Sequence, residues 1–343
     1  MDLTLGTEQE RIRDAIRDVL AERSPMSRVR QVIAEPPGVD AVLWRAAGEL
    51  GWFGLALPEA AGGADYGLPE LMLLFVELGR ALAPGPWLGT VLAAQALAAN
   101  PDVRAQHAGV VGGDHLVTVI DDPEDVLGAW EELSGEATGV ADAGAVDGIL
   151  VIGAAAVRYA NIDDARVTVA PSIDPTRPLS RVEFDGAKTR IVDTHAATLR
   201  QIATVLIASE AVGVAERALE MSVEYAKVRQ QFGRPIGSFQ AVKHRCADMA
   251  VRAEVARSAV TFAAVAVRDG EGDTAFQVHV GKALAGAAAL ANATDNVQNH
   301  GGMGYTWESD AHLYLKRARL LEHCFGTRTA HLDALAAPWR AAS

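Results

Sequence analysis

Three long helical stretches in the second half of the chain constrain the fold most. In the 343-residue sequence, apolar residues recur with a helical period over residues 200–228, 239–268 and 275–298, and a shorter helix is predicted over 310–321. At 1.5 Å per residue, the long helices span about 36–45 Å. Helices of this length joined by short turns pack as an antiparallel bundle, so we predict a C-terminal four-helix bundle over 196–343.

The part of the chain before the bundle has two different patterns. Helical periodicity with Pro- and Gly-rich breaks over 1–112 predicts an N-terminal α-helical domain. Short β-branched runs at 116–120, 149–152 and 167–169 predict a small antiparallel β domain over 113–195. The fold class expected is therefore mainly α with a small middle β domain.

Charge and composition exclude several classes of protein. The net charge of −13 repels nucleic acid and anionic membranes. No apolar run approaches the about 18 residues of a membrane span, and the N-terminus lacks the order of a signal peptide, so a cytoplasmic protein is expected. Cys246 and Cys324 are expected to be reduced thiols, and His, Cys and acidic residues nowhere show the spacing of metal ligands.

The first of two glycine-bearing connections between bundle helices covers residues 229–240. Gly233 and Gly237 permit tight turns, and Ser238 is a natural N-cap for the following helix. Arg229 offers a rigid fork of donors that suits a phosphate group. The segment is therefore a candidate pyrophosphate site, although its positive charge is also typical of a solvated helix end.

The second connection covers residues 298–305. Gly301, Gly302 and Gly304 would let a ligand lie directly against the backbone, and Gln298 can offer its amide at the end of the helix. Taken alone, this pattern fits a plain turn between two helices better than it fits a nucleotide site.

Both connections together, in this order and separated by two helices, resemble the acyl-CoA dehydrogenase family. Arg229-x-x-Phe232-Gly233 is similar to the family's Arg-x-x-Phe-Gly segment, and residues 298–305 to its Gln-x-x-Gly-Gly-x-Gly-Tyr/Phe segment. More weakly, residues 58–63 are similar to its Pro-Glu-x-x-Gly-Gly loop. The resemblance implies a helical, β, helical fold with FAD as cofactor.

The resemblance also implies roles for individual residues. In the family, these segments reach across a subunit interface to the pyrophosphate and adenosine end of the neighbour's FAD. The residues that match are Arg229, Phe232, Gln240, Gln298, Gly301 and Gly302.

The family reaction is α,β-dehydrogenation of an acyl-CoA thioester, which requires a base for the α-proton. One family location for this base is just before the Gly-Thr that follows the last bundle helix, where this chain has Phe325. The other is early in the first long bundle helix, where this chain has Ala203. The family's Thr/Ser-Glu-Pro and Trp-Ser/Thr segments, which pack against the flavin ring, have no counterpart in residues 117–162.

Three hypotheses stay open at this point. In the first, the chain resembles the base-lacking subunit of actinobacterial α2β2 heterotetramers that oxidise steroid side-chain CoA thioesters, and a second dehydrogenase-like subunit supplies the base. In the second, a homomeric enzyme uses a relocated base, Glu322 or Glu210, although Glu322 can also pair with Arg319 and Glu210 can lie on a polar helix face. In the third, the chain is a structural or regulatory subunit without flavin. An electron-transfer acceptor is implied by the first two.

Overall fold

A computed structural model describes residues 3–98, 100–128, 131–193, 195–270 and 272–341. The chain divides into two compact units. The bundle unit consists of Met1–Asp18, Met72–Leu82 and Thr204–Ser343, and the sheet unit consists of Val19–Leu71 and Ala83–Ala203. Both units combine distant segments of the chain, whereas the predicted domains (1–112, 113–195 and 196–343) are consecutive and stay a prediction.

Among the described residues, six α-helices precede the first strand. They are α1 (Thr7–Arg23), α2 (Met26–Val32), α3 (Ala41–Glu49), α4 (Leu68–Ala81), α5 (Trp87–Leu97) and α6 (Arg104–Gly112). Periodicity predicts α1, α3 and α4 but does not find α5. Every residue of α5 except Gln95 is buried, so the helix is apolar on all sides and has no amphipathic period.

The described residues of the sheet unit form two sheets. Its strands are β1 (Val117–Asp121), β2 (Glu132–Ala141), β3 (Gly148–Ile152), β4 (Val157–Asn161), β5 (Ala165–Ala170), β6 (Leu179–Lys188) and β7 (Arg190–Asp193). One sheet has the order β1-β3-β4-β7, and the other has the order β2-β6-β5. Side chains from both sheets, including Leu133, Ile149 and Val182, form a common core.

One strand pair departs from the predicted antiparallel arrangement. Strands β1 and β3 pair in parallel, whereas the other pairs of the two sheets are antiparallel. The chain leaves β1 to form β2 in the other sheet and then returns, so β3 can enter its sheet in the same direction as β1. A period of two along a strand carries no information on the direction of its partner.

In the described part of the chain, five α-helices follow β7. They are α7 (Ala196–Val228), α8 (Gln240–Asp269), α9 (Thr274–His300), α10 (Ala311–His323) and α11 (Arg328–Ala341). The first four correspond to the predicted bundle helices, and α11 is an addition that packs on α9. The predicted fold class, mainly α with a small β region, is confirmed.

Close backbone contacts and buried amides fix the bundle register. A Cβ atom on Gly79 of α4 would lie 2.1 Å from the carbonyl oxygen of Glu210 in α7, so only glycine lets these two helices approach so closely. Asn292 of α9 donates to the carbonyl oxygens of Ala215 in α7 (3.1 Å) and Met249 in α8 (2.9 Å). One buried side chain therefore joins three helices.

Neither cysteine forms a disulfide. Among the described residues, no helix is both long and apolar enough to pass through a lipid bilayer.

Candidate functional site

The two glycine-bearing segments lie at the same end of the bundle unit. Tyr225, in the last turn of α7, stacks on His300 at the end of α9 with ring centroids 4.2 Å apart. Arg245, in the second turn of α8, donates from Nη1 to Asn299 Oδ1 at 2.7 Å. The C-terminal ends of α7 and α9 therefore meet the N-terminal part of α8, and the two segments that follow α7 and α9 are brought together there.

The segment after α7 forms a small hairpin with an exposed aromatic tip. Its strands are β8 (Gln230–Gln231) and β9 (Arg234–Pro235), joined by Phe232 and Gly233 with φ of 54° and 77°. Positive φ at both turn positions is usual in tight hairpins, but it is strained for a bulky residue such as phenylalanine. The Phe232 side chain is 91% exposed. Backbone strain and exposure of this kind are typical of binding positions.

Three polar side chains predicted to bind cofactor are free to receive a ligand. Arg229, Gln240 and Gln298 are exposed, and in the part of the chain that the structure describes their side chains form no hydrogen bond or ion pair. The backbone of Arg229 is nevertheless fixed, because its N–H donates to Tyr225 O (2.9 Å) and its carbonyl accepts from Ile236 N–H (2.8 Å). The backbone position from which the Arg229 side chain extends is thus fixed, while the N–H donors of its guanidinium group are unused.

The segment after α9 leaves its backbone open. Gly301 has φ 59° and ψ −140°, a conformation that only glycine adopts readily. A Cβ atom on Gly302 would meet nothing within 4 Å, so the chain's own packing does not require glycine there. An exposed glycine that the chain's own packing does not require leaves room for a ligand to lie directly against the backbone. Together with the unused donors nearby, this open backbone fits the diphosphate part of a dinucleotide.

The two positions where the resemblance expects a base cannot accept a proton. Ala203 is fully buried in α7. Phe325 is half-buried in the turn after α10 and has a positive φ of 52°.

A buried lysine holds the turn that contains Phe325. Lys282 of α9 is 2% exposed, and its Nζ donates to the carbonyl oxygens of Leu321 (3.1 Å), Glu322 (3.4 Å) and Gly326 (3.0 Å). Burial lowers the pKa of Lys282 to about 8, so the ammonium group is still mostly protonated at neutral pH. The lysine therefore caps the C-terminal end of α10, where carbonyl groups lack helical partners.

Two histidines hold the same turn from the other side. His331 Nε2 lies 3.0 Å from Phe325 O, and since a carbonyl oxygen only accepts, Nε2 carries the proton. Burial and the nearby Lys282 charge lower the pKa of His331 to about 4, so the ring is neutral and its Nδ1 accepts. Its partner at 2.7 Å is His279 Nδ1, which must donate. The tautomers of both rings follow from this chain of bonds.

Replacing Lys282 by methionine is expected to lower the free energy of unfolding by about 1–3 kcal/mol, because three carbonyl oxygens lose their donor. Urea denaturation of the purified protein measures the loss. Lys243→Met is the control, since Lys243 is exposed on α8 and its side chain has no partner within the described residues. Equal midpoints for the two variants would contradict the capping role.

The alternative bases, Glu322 and Glu210, both contact arginine. Glu322 Oε2 lies 3.3 Å from Arg319 Nη1 on the surface of α10. Glu210 is 2% exposed and bonds to Arg317 Nη1, which is fully buried. The Glu210 carboxylate is thus committed to an ion pair inside the bundle unit.

Two arginines of the sheet unit bind the end of β1 and the loop that follows it. Arg158 Nη2 lies 3.4 Å from Asp125 Oδ1 and 3.5 Å from Asp122 Oδ2, and Arg158 Nη1 donates to Gly128 O. Arg200 Nε donates to Asp121 Oδ1 at 2.7 Å. The cavity beside this loop measures about 240 Å³, below the roughly 300–1,000 Å³ of most ligand pockets.

Some of these residues are absent from the sequence-based predictions. Arg158, Lys282 and Arg317 are buried charges whose partners lie far away in the sequence.

Within the described ranges, no group of three or more His, Cys, Asp or Glu residues could hold a metal ion.

Comparisons with known proteins identify the family of this chain. Family models match residues 6–106 (Acyl-CoA dehydrogenase, N-terminal domain) and 200–338 (Acyl-CoA dehydrogenase, C-terminal domain). Acyl-CoA dehydrogenase IpdE2 of Mycobacterium tuberculosis is 36% identical over 319 residues, which are 92% of each protein.

Two solved structures are similar over nearly the whole chain. The ChsE4-ChsE5 complex from Mycobacterium tuberculosis has a TM-score of 0.90 and 28% identity, with 99% of both chains covered. A G363A variant of the Tcur3481-Tcur3483 steroid ACAD has a TM-score of 0.88 and 28% identity, with 99% of this chain and 100% of that chain covered. The chain therefore belongs to the acyl-CoA dehydrogenase family of FAD-dependent oxidoreductases.

Proposed function

We propose that this chain is one of two subunit types in a heteromeric acyl-CoA dehydrogenase and completes the FAD site of its partner. The single observation that carries the proposal is an asymmetry. At one end of the bundle unit, polar side chains without partners lie with an exposed glycine backbone that could contact a cofactor. In contrast, the two positions where a base is expected are occupied by Phe325 and Ala203. The chain's residues for the pyrophosphate and adenosine end of FAD are Arg229, Phe232, Gln240, Gln298, Gly301 and Gly302.

An exposed apolar surface around these residues supports a subunit interface. Five large side chains of the two segments and their flanks are each more than half exposed. Soluble monomers rarely leave so many large apolar groups open at one end, and such patches mark interaction sites. The five are Val228, Phe232, Met303, Tyr305 and Trp307.

The chain's residues have separate tasks in this proposal. Arg229 offers paired N–H donors to phosphate oxygens, which is the geometry that guanidinium groups prefer. Gly301 and Gly302 let the cofactor approach the main chain, and Gln298 offers its amide. When bound, FAD supplies the acceptor for the hydride that leaves the β-carbon of the acyl group.

The partner subunit is proposed to supply what this chain lacks. Removal of the α-proton requires a positioned base, and neither Phe325 nor Ala203 can provide one. The cavity beside the loop after β1 measures only about 240 Å³, so it also gives no support for a flavin-ring pocket in this chain. Base, ring pocket and acyl-CoA cleft are thus assigned to a second dehydrogenase-like protein.

Similar proteins suggest the assembly and the substrate class. One similar structure is the ChsE4-ChsE5 complex, and another is a variant of the Tcur3481-Tcur3483 steroid ACAD. By similarity, we assign this chain to an α2β2 heterotetramer that oxidises steroid side-chain CoA thioesters in the cytoplasm and passes electrons to an electron-transfer acceptor.

Co-purification tests the proposal. The chain is purified alone and together with a dehydrogenase-like protein encoded beside it, and flavin absorbance, native mass and acyl-CoA-dependent reduction of an acceptor are recorded. Colour and activity are expected only for the complex. A chain that is yellow and active by itself would refute the heteromer and make Glu322 and Glu210 the carboxylates to substitute. A colourless complex would favour a structural subunit.

A further inference from the structure

A buried amide of α9 bonds to α8 next to the residues proposed to hold FAD. Asn299 follows Gln298 directly in the sequence, is 6% exposed, and accepts at Oδ1 from Arg245 Nη1 at 2.7 Å. Its Nδ2 lies 3.8 Å from Cys246 Sγ and 3.9 Å from Met249 Sδ, which are weak acceptors. This one side chain therefore contacts the second and third turns of α8.

Arg245 is held at two points of α9. Besides its bond to Asn299, its Nε lies 3.6 Å from Asp295 Oδ1. Asp295 and Asn299 are four residues apart, so they are neighbours on the same face of the helix, one turn from each other. A planar guanidinium group that contacts both residues fixes the position of α8 along α9 as well as the distance between the two helices.

The same kind of contact recurs farther from the proposed cofactor residues. Arg252 bonds to Asp295 and donates from Nε to Asn292 Oδ1 at 2.9 Å. Arg252 follows Arg245 by seven residues, which is about 10 Å along the helix at 1.5 Å per residue. The two arginines therefore join the same pair of helices, but only the bond between Arg245 and Asn299 lies at the end of α9 that carries the glycine segment.

This bond determines how far apart cofactor residues of different segments lie. Gln240 begins α8, five residues before Arg245, and Gln298 lies in the last turn of α9. The side chains of Gln240 and Gln298 form no hydrogen bond or ion pair among the residues described, so their separation depends on the helices that carry them. Fixing Arg245 against Asn299 fixes the start of α8 against the end of α9.

We propose that Asn299 is a positioning residue for FAD, which acts through Arg245 and keeps Gln240 and Gln298 at the separation that one cofactor can bridge. This inference rests on the proposed function, because it concerns the same cofactor residues. A ligand held at several points binds most tightly to a site that is ordered beforehand, since ordering the site during binding lowers the affinity. Loss of the bond should therefore weaken FAD binding, although the buried Asn299 amide bonds to α8 and not to the cofactor.

Titration of the flavin-free complex of this chain and its partner with FAD, followed by flavin fluorescence, tests the inference. Asn299→Leu removes the amide at similar size and is expected to raise the dissociation constant about 3- to 10-fold. The amount of FAD bound at saturation should stay the same, which separates lower affinity from partial unfolding. Asn299→Asp keeps an acceptor for Arg245 and is expected to restore the affinity to within about 2-fold. If it binds FAD as weakly as Asn299→Leu, the bond to Arg245 does not position the site.

Two arginine variants separate positioning from general stabilisation of the bundle. Arg245→Gln is expected to weaken FAD binding as Asn299→Leu does, and it should fold because the Arg245 side chain is 32% exposed. Arg252→Gln is the matched control, since the Arg252 side chain is 33% exposed and shares Asp295 as a partner. It is expected to lower the unfolding midpoint by a similar amount without changing the affinity for FAD. Equal losses of affinity in the two arginine variants would overturn the positioning role.

Arg229→Gln in the same complex separates failure of this inference from failure of the proposed function. If Arg229→Gln weakens FAD binding while Asn299→Leu and Arg245→Gln do not, only the positioning role is wrong. If none of the three variants weakens FAD binding, the proposed FAD role of the chain is wrong as well.

Discussion

Replacing Arg229 by glutamine is expected to weaken FAD binding by the assembled complex about 10- to 100-fold. Hydrogen bonds to a charged group contribute about 1.5–3 kcal/mol, which corresponds to that range of dissociation constants. The Arg229 side chain has no partner in the described residues, so its loss removes no intrachain contact. Cofactor affinity should therefore fall while the unfolding midpoint of the isolated chain is unchanged.

Flavin fluorescence of the complex at decreasing FAD concentrations measures this change. Arg234→Gln is the matched control, because Arg234 is exposed in the same hairpin but its guanidinium lies 4.2 Å from the centroid of the Phe239 ring. A much smaller effect is expected for it. If Arg229→Gln keeps FAD as tightly as the unmodified complex, the chain does not clamp the cofactor and a purely structural subunit becomes the better explanation.

The bundle and the position of the candidate site could be predicted from the sequence, because both depend on local sequence patterns. Residues 239–268 are predicted as a helix, and α8 covers Gln240–Asp269. Antiparallel helices of similar length place the end of one helix beside the start of the next. Two glycine segments separated by two helices must then lie at the same end, as the stacked Tyr225 and His300 show.

Buried charges were not predictable, because their stability depends on partners far away in the sequence. Arg317 bonds to Glu210 across 107 positions, and Lys282 bonds to carbonyl groups 39 to 44 positions away. One signal was nevertheless present: Lys282 is the only charged residue in the stretch 281–294, which consists mostly of small residues. A lone charge in such a stretch must find acceptors, and the open carbonyl groups at the end of α10 supply them.

The same dependence on distant partners explains two further differences. Helix α5 is buried on all sides, so its sequence has no polar face and therefore no helical period of apolar residues. The parallel pairing of β1 with β3 is set by the path of the chain through β2, which no local pattern encodes.

Replacing Glu210 by glutamine is expected to lower the free energy of unfolding by about 3–5 kcal/mol, because it removes the charge of a carboxylate that is bonded to the fully buried Arg317. Replacing both partners, Glu210→Leu with Arg317→Met, removes both buried charges and is expected to restore most of the stability. Urea denaturation of the single and double variants measures both changes. Glu322→Gln is the control, since its contact with exposed Arg319 should contribute less than about 1 kcal/mol.

Activity measured in the same variants distinguishes an ion pair from a base. If Glu210 is structural, the double variant should assemble with the partner and turn over acyl-CoA at nearly the rate of the unmodified complex. A general base contributes about 10²- to 10⁴-fold to the rate, so its loss could not be masked by restored folding. A double variant that is stable and assembled but slower by that factor would identify Glu210 as the base. It would also favour an enzyme that carries its own proton acceptor over one that relies on a partner.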